Sequence, residues 1–560
     1  MQKIFRVMII IAMLITAYLL ILAWRDDYAD APAVDTVPKT ATSVGADIPS
    51  TSGAAGDIPV QTLPVDTGAV AATPAASAGL ITVTTDRYDI KINPEGGDIV
   101  YAALKQYDAT LDSDKPFVLL ENNSNRVYVA QSGLIGQNGI DTAEGRAKYS
   151  HTANNYVMEK GQQTLSVPLT YKKDGVTVTK TFTFTQDKYP IDISYQIQNA
   201  SANAWQGQMF AQLKRDDSKD PGMSDKGALS MATYLGGAWG TPDDPYNKLK
   251  FGKFNDGELT TSSDKGWVGI VQHYFVSAWT PENFTGKFFS RETGDEYFIG
   301  FNSQPVNVAP NKQVTLNATL YAGPKVQSEL KEVAVGLNQT VDYGLLWPIS
   351  KILFAVLDGI HKVIGNWGWS IILLTILVKI ALMWFSNKSY YSMAKMRAIA
   401  PRLAALKEEH GDDRMKMSQE MMAIYKEEKV NPMAGCLPIL MQMPIFLALY
   451  WVLVESVELR HAPWILWIRD LSAMDPWFIL PLLMGASMFV QQQLNPQPAD
   501  PMQAKVMKFL PIIFTAFMLF FPAGLVLYWT VNNLFSMTQQ YLINRKVEEE
   551  QKRRTVKVLD

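Results

Sequence analysis

Lys379 sits inside an otherwise apolar run, Trp367 to Phe385, about six residues or ~9 Å from the end of that run at helical rise. An ammonium at a helix centre in a bilayer costs roughly 2.5 to 3.5 kcal/mol, so it faces a polar cavity or a partner, or its stem snorkels to the headgroups. Thr375 lies four residues earlier on the same helical face. Two further apolar runs carry polar groups: Gln442 within Met433 to Val454, and Tyr528, Thr530, Asn532, Asn533 and Ser536 within Gly524 to Leu542. The remaining two runs are Trp477 to Val490 and Phe509 to Phe521. None of the five contains Asp or Glu, so Lys379 has no counter-ion in them. A buried cation without a counter-ion implies water, and hence a hydrated groove with one positive charge. The simpler alternative is that the amides and hydroxyls only glue helices together.

Other chemistry is poorly provided for. The five histidines, His151, His273, His361, His410 and His461, are scattered without ligand spacing, so neither a metal nor another cofactor is expected. The single cysteine, Cys436, excludes an internal disulfide. Gly252-Lys253 and Gly286-Lys287 are each followed by Phe, and no phosphate loop, nucleophile elbow or His-Glu-x-x-His pair occurs. A net charge of −3 speaks against nucleic acid as a specific ligand. The chain is therefore not expected to be an enzyme. Any work it does draws on the burial of apolar surface by whatever it handles, roughly 25 cal/mol per Å².

The elements that position these residues can be read along the 560-residue chain. Residues 1–27 read as an uncleaved transmembrane anchor, its apolar stretch Val7 to Trp24 preceded by Lys3 and Arg6. Residues 28–79, rich in Ala, Pro, Thr, Ser and Gly, read as a flexible linker. Residues 80–330 alternate with period two, as in Val176 to Phe184 and Val314 to Leu320, and predict a large antiparallel β-sandwich. Residues 345–364 place Lys351, Asp358 and Lys362 opposite an apolar side, the pattern of a helix lying in the membrane interface; a true span is the alternative. Residues 365–545 hold the five apolar runs, giving six spans with the anchor. Phe509 to Phe521 is about 13 residues, ~20 Å as a helix, so flanking polar turns must extend it or the bilayer must thin. Basic residues concentrate in Lys388 to Lys429 and in the tail 546–560, which places both termini in the cytoplasm and the β-domain in the periplasm. The cytoplasmic segment 389–431 reads as two helices separated by Gly411-Asp412-Asp413. Its Met393, Met396, Met415, Met417, Met421 and Met422 suit either a surface that accepts many apolar sequences or a hairpin seam.

Six segments carry a resemblance: Gly365-Asn366-Trp367-Gly368-Trp369-Ser370, Ser392-Met393-Ala394-Lys395-Met396, Gly411-Asp412-Asp413, Glu428-Lys429-Val430-Asn431-Pro432, Gln442-Met443-Pro444-Ile445-Phe446 and Phe521-Pro522-Ala523-Gly524-Leu525. Together they resemble the YidC/Oxa/Alb family of membrane protein insertases in its Gram-negative form. The resemblance implies a five-helix core with a groove open to cytoplasm and lipid but closed toward the periplasm, and a β-super-sandwich outside an inner membrane. It implies nascent hydrophobic membrane proteins as clients, and as partners the Sec translocon, membrane lipids, and the ribosome through the hairpin and basic tail. Thr375, Gln442, Met443, Phe446, Tyr528 and Trp529 match positions lining the groove or its substrate slide, and Lys379 stands where the family commonly has arginine. Lysine keeps the charge but not the guanidinium fork. Two rival classes are a secondary transporter, for which no inverted repeat is evident, and a periplasmic sugar-processing enzyme. Against the second, deletion of residues 80–320 is expected to leave insertion largely intact.

Overall fold

The computed structural model describes residues 79–221, 233–257, 259–409, 414–428, 430, 437–495 and 501–559. The expected anchor, the linker up to residue 78, Cys436 and the Gly411-Asp412-Asp413 turn lie outside them.

Residues 80–324 form two packed β-sheets, one of eleven strands and one of nine. Alternation produces them: Val176–Thr185 and Pro190–Asn199 pair antiparallel in full register and send every second residue inward, among them Val178, Phe182, Ile191 and Ile193. At the centre of the other sheet, Trp205–Asp216 lies between Arg126–Ile135 and Glu296–Ser303. The sheets are also joined by polar contacts across the core. The Tyr88 hydroxyl reaches the carbonyls of Tyr189 and Ala322, and Trp279 Nε1 donates to Gln212 O at 3.1 Å. The fully buried Lys180 donates to the carbonyls of Gly96, Gly97 and Ser132, beside Arg146 paired with Asp98 and Asp141.

The chain leaves the sandwich through a short helix α1 (Gln327–Val333) and enters α2 (Trp347–Ile364). A cleft of about 560 Å³ beside α1 is lined by Lys188, Asp192, Asp264, Glu282, Glu332 and their neighbours, with no aromatic or histidine side chain. It offers no stacking platform for a sugar ring.

The helical half comprises α3 (Trp367–Ala381), α4 (Met383–Ala398), α5 (Ala400–Glu409), α6 (Arg414–Glu427), α7 (Leu437–Glu455), α8 (Ile479–Leu494), α9 (Pro501–Met518) and α10 (Ala523–Leu559). Several differ from the sequence expectation. The run Trp367 to Phe385 is not one straight helix, because α3 and α4 meet at Leu382 with a 69° bend. Polar residues from Asn387 onward then lead α4 away from the apolar direction, and the first hairpin arm is the continuation of this bent pair. The run from Phe509 begins eight residues earlier, at Pro501, so α9 has 18 residues, about 27 Å. Polar extension thus supplies the missing length. Trp477 and Phe478 precede α8 rather than belonging to it. The basic tail is not separate from the last run, since α10 continues for 37 residues, ~55 Å.

Gly344–Ile364 is, among the described residues, the one unbroken helical stretch long and apolar enough to cross a membrane by length and composition. Its two ends meet the last turns of α7 and the loop that follows. Gly344 packs against Trp451 near the end of α7, while Asn366, just past the other end, donates to the carbonyls of Pro463 and Trp464 in the loop that follows α7.

Candidate functional site: a buried lysine and a polar helix stripe

The sharp turn between α2 and α3 explains the Gly-Asn-Trp-Gly-Trp-Ser segment. Gly365 adopts φ +71°, a left-handed conformation suited to glycine, and its N–H closes α2 on His361 O at 2.7 Å. Asn366 then caps α3, its Oδ1 accepting from Trp369 N at 3.2 Å. An added Cβ on Gly368 would lie 2.1 Å from the Trp464 ring, so only hydrogen there lets the loop after α7 seat on α3.

This turn starts α3 so that Lys379 points inward. The side chain is 5% exposed, and Nζ donates to Ser536 Oγ on α10 at 2.8 Å. The amine is directed at a helix hydroxyl inside the bundle rather than out along its own stem. Among the described residues no carboxylate pairs with it. Thr375 is buried one turn before, but its hydroxyl is taken by Ile371 O at 2.7 Å.

α10, packed against α3, α7 and α8, carries a polar stripe at strict intervals of four: Tyr528, Asn532, Ser536, Gln540 and Asn544, all buried. The sequence analysis names the first three; Gln540 lies within the same run, Gly524 to Leu542, and Asn544 just past its end, and the interval of four leads to both. Gln540 binds Leu494 O and Asn495 Oδ1, Gln539 binds Asn387 Oδ1, and Asn533 binds Ser487 Oγ. Other atoms of the stripe, Asn532 Oδ1, Gln540 Oε1 and Asn544 Nδ2, and Gln539 Oε1 beside it, have no protein partner among the described residues. Such groups are costly when dry, so the stripe is suited to contact with water or a polar chain.

α7 supplies the opposite wall. Gln442 Nε2 donates to the Tyr528 hydroxyl, and Phe446 meets Trp529 edge to face at 4.9 Å, with Phe514 of α9 on the same indole at 4.9 Å. Met443 is the exception among the candidates. It is 40% exposed on the outer surface of α7. Lys379 and Ser536 therefore form one group, and Gln442, Tyr528, Phe446 and Trp529 a second along the same helix.

On the β-domain side the loop from Ser456 to Phe478 lies over the helix ends. Ala523 and Gly524, the first residues of α10, donate to Ala473 O (2.7 Å) and Leu471 O (2.9 Å). Asp475 accepts from Leu480 N, Trp477 N and Trp467 Nε1, which caps α8 and fixes the loop. Nothing in the local residue pattern marks this plug, whose bonds to α10 join backbone groups distant in the chain. At the other end, the methionines of α4 to α6 divide: Met393 is buried, whereas Met415 and Met422 are exposed.

Two family models cover most of the chain. Residues 80–356 match the family model of the YidC periplasmic domain, and residues 359–551 that of the 60Kd inner membrane protein. The membrane protein insertase YidC of Pseudomonas syringae pv. syringae (strain B728a) is 50% identical over 562 residues, covering 98% of this chain and 99% of that one. The chain belongs to the YidC family of membrane protein insertases. The insertase YidC of Ectopseudomonas mendocina (strain ymp) is 48% identical over 571 residues, 97% of this chain and 98% of its own. A crystal structure of an active YidC insertase with its first transmembrane domain resolved covers 83% of this chain and 93% of its own at 18% identity. Its TM-score is 0.37. This protein is thus an inner-membrane insertase with a periplasmic β-sandwich domain and a helical membrane region, and its substrates are membrane proteins. It is not an enzyme, and nothing supports the transporter reading.

Proposed function

We propose that insertion runs through a hydrated groove between α3, α7 and α10, with Lys379 as its one fixed positive charge. The observation that carries this reading is the placement of Lys379: buried, aimed at a hydroxyl rather than a carboxylate, beside a helix whose amides keep hydrogen-bonding atoms unfilled by protein among the described residues. The polar flank of an incoming chain rests near Lys379, with Thr375, Gln442 and Tyr528 as polar wall. Phe446, Trp529 and the outward-facing Met443 lie where an apolar segment slides toward lipid. Partition of that segment into lipid drives release, at roughly 25 cal/mol per Å² of apolar surface. The exposed Met415 and Met422 of the hairpin are the first receiving surface.

The finer topology belongs to the same proposal. Six spans, counting an N-terminal anchor outside the described residues, place both termini in the cytoplasm, as the basic residues of the hairpin and tail favour. α2 lies in the periplasmic interface rather than across the membrane. Supporting this, its two ends contact the last turns of α7 and the loop after it, and Lys351, Asp358 and Lys362 share a face while Ile352, Val356 and Val363 form an exposed apolar stripe. By family resemblance, the Sec translocon and the ribosome are the expected partners.

The test is insertion into liposomes, scored by protease protection of a client with an acidic translocated tail. Lys379→Ala lowers the yield by about tenfold, the scale of a lost charge contact, whereas Lys379→Arg stays near the unmutated level. Equal yields for all three versions would contradict the charge role.

A further inference from the structure

α7 ends on a residue of the wrong sign. Glu455 is a buried carboxylate at a helix C-terminus, where the macrodipole is already negative. The bundle does not compensate it. Lys325, directly after the last strand of the sandwich, does so: its Nζ lies 3.0 Å from Glu455 Oε2 and 3.1 Å from Thr340 O, with the side chain 2% exposed. His273, in the turn between Trp267–Val271 and Phe275–Pro281, sets Nε2 2.8 Å from Val454 O, a carbonyl in the last turn of α7, which lacks an intrahelical partner. Burial, and then the Lys325 cation, hold His273 down to about 3, so the ring is neutral and Nε2 carries the donated hydrogen. Past the helix end, the Tyr343 hydroxyl meets Ser456 Oγ at 3.3 Å.

The plug is gripped at two further points. Arg460 donates to Asp108 O (2.7 Å) and Ala109 O (3.2 Å) and lies over the rings of Phe117 and Phe275. Arg469 pairs with Asp112 at 2.7 Å. Three strand regions of the sandwich thus hold α7 and the loop that follows it.

We propose that the β-domain is the C-cap of α7 and the brace of the periplasmic plug, with Lys325 and His273 as positioning residues for insertion. They fix the helix whose inner face carries Gln442 and Phe446. A loosened α7 end widens the groove and lets the plug part from α10. The consequence for insertion rests on the groove reading above.

The experiment uses the full chain in liposomes. Lys325→Ala and Glu455→Ala each lower insertion of the acidic-tailed client at least about tenfold, the scale set by one orphaned buried charge. The exchanged pair Lys325→Glu with Glu455→Lys restores it to within about twofold, which a chain that merely failed to fold would not do. In a Cys436→Ser, Thr375→Cys background, a membrane-impermeant maleimide added from the β-domain side labels faster in either single variant and returns to the slow rate in the exchanged pair. Unchanged insertion in the single variants, or an exchanged pair as poor as they are, overturns the proposal. Labelling of the same cysteine from the cytoplasmic side, with Lys325 and Glu455 intact, tests the groove separately: its absence sinks the groove reading alone.

Discussion

Among the described residues, two lysines are buried without a directly paired carboxylate, and their surroundings differ. Lys379 meets one hydroxyl beside helix amides with spare hydrogen-bonding capacity, an arrangement that in the proposed mechanism leaves its charge available to a client. Lys180 is saturated by three carbonyls in the sandwich core. Burial pushes the Lys180 ammonium down to about 7, with Asp98 opposing and Arg146 adding to the fall. Above that value the folded chain has lost a proton that an unfolded lysine keeps up to about 10.4. The unfolded state therefore binds more protons in that window, and this group makes stability rise with pH through it. In Lys180→Met the melting temperature of the β-structure, followed by circular dichroism from pH 7 to 9, should climb less than in the unmutated protein. Identical slopes would remove Lys180 from the account.

At the scale of elements, short spans and turns decide the geometry. The 69° bend at Leu382 turns α4 away from α3 soon after Lys379, so the lysine sits near a corner rather than in the middle of a long rod. α3 in turn is held by its first turn, where Gly368 touches Trp464 of the plug. Gly368→Ala must displace that ring, an overpacking cost of about 1 to 3 kcal/mol. The expected outcome is a lower melting temperature in detergent together with faster maleimide labelling of groove cysteines from the β-domain side. A variant that melts and labels like the unmutated chain would mean that the loop yields without strain.

For the whole molecule, the sandwich and the membrane bundle are mechanically joined. The sequence expectation was that removing residues 80–320 leaves insertion largely intact. That deletion takes away His273, Asp108 and Asp112 but spares Lys325 and Tyr343. Insertion in proteoliposomes should therefore fall part-way, by a few-fold, on the scale of about 1 kcal/mol per lost hydrogen bond, and fall further when Lys325→Ala is added. Full activity of the deletion alone would show that Lys325 and Tyr343 suffice as the brace.

Much of this architecture follows from local sequence. Period-two alternation in Val176 to Phe184 makes strands in any context that buries one face, and an apolar run such as Ile371 to Val378 has no stable place outside lipid or a core. The cost of burying an ammonium likewise marks Lys379 before any fold is known. The direction of its side chain, the placement of Met443 on the outer surface and the bend at Leu382 depend on neighbours distant in the chain. The same holds for the pairing of Lys325 with Glu455, 130 residues apart, and for the plug, whose contacts are largely backbone groups. Residue type encodes the price of burying a group, but which partner meets that price is settled only when the helices and the sandwich pack.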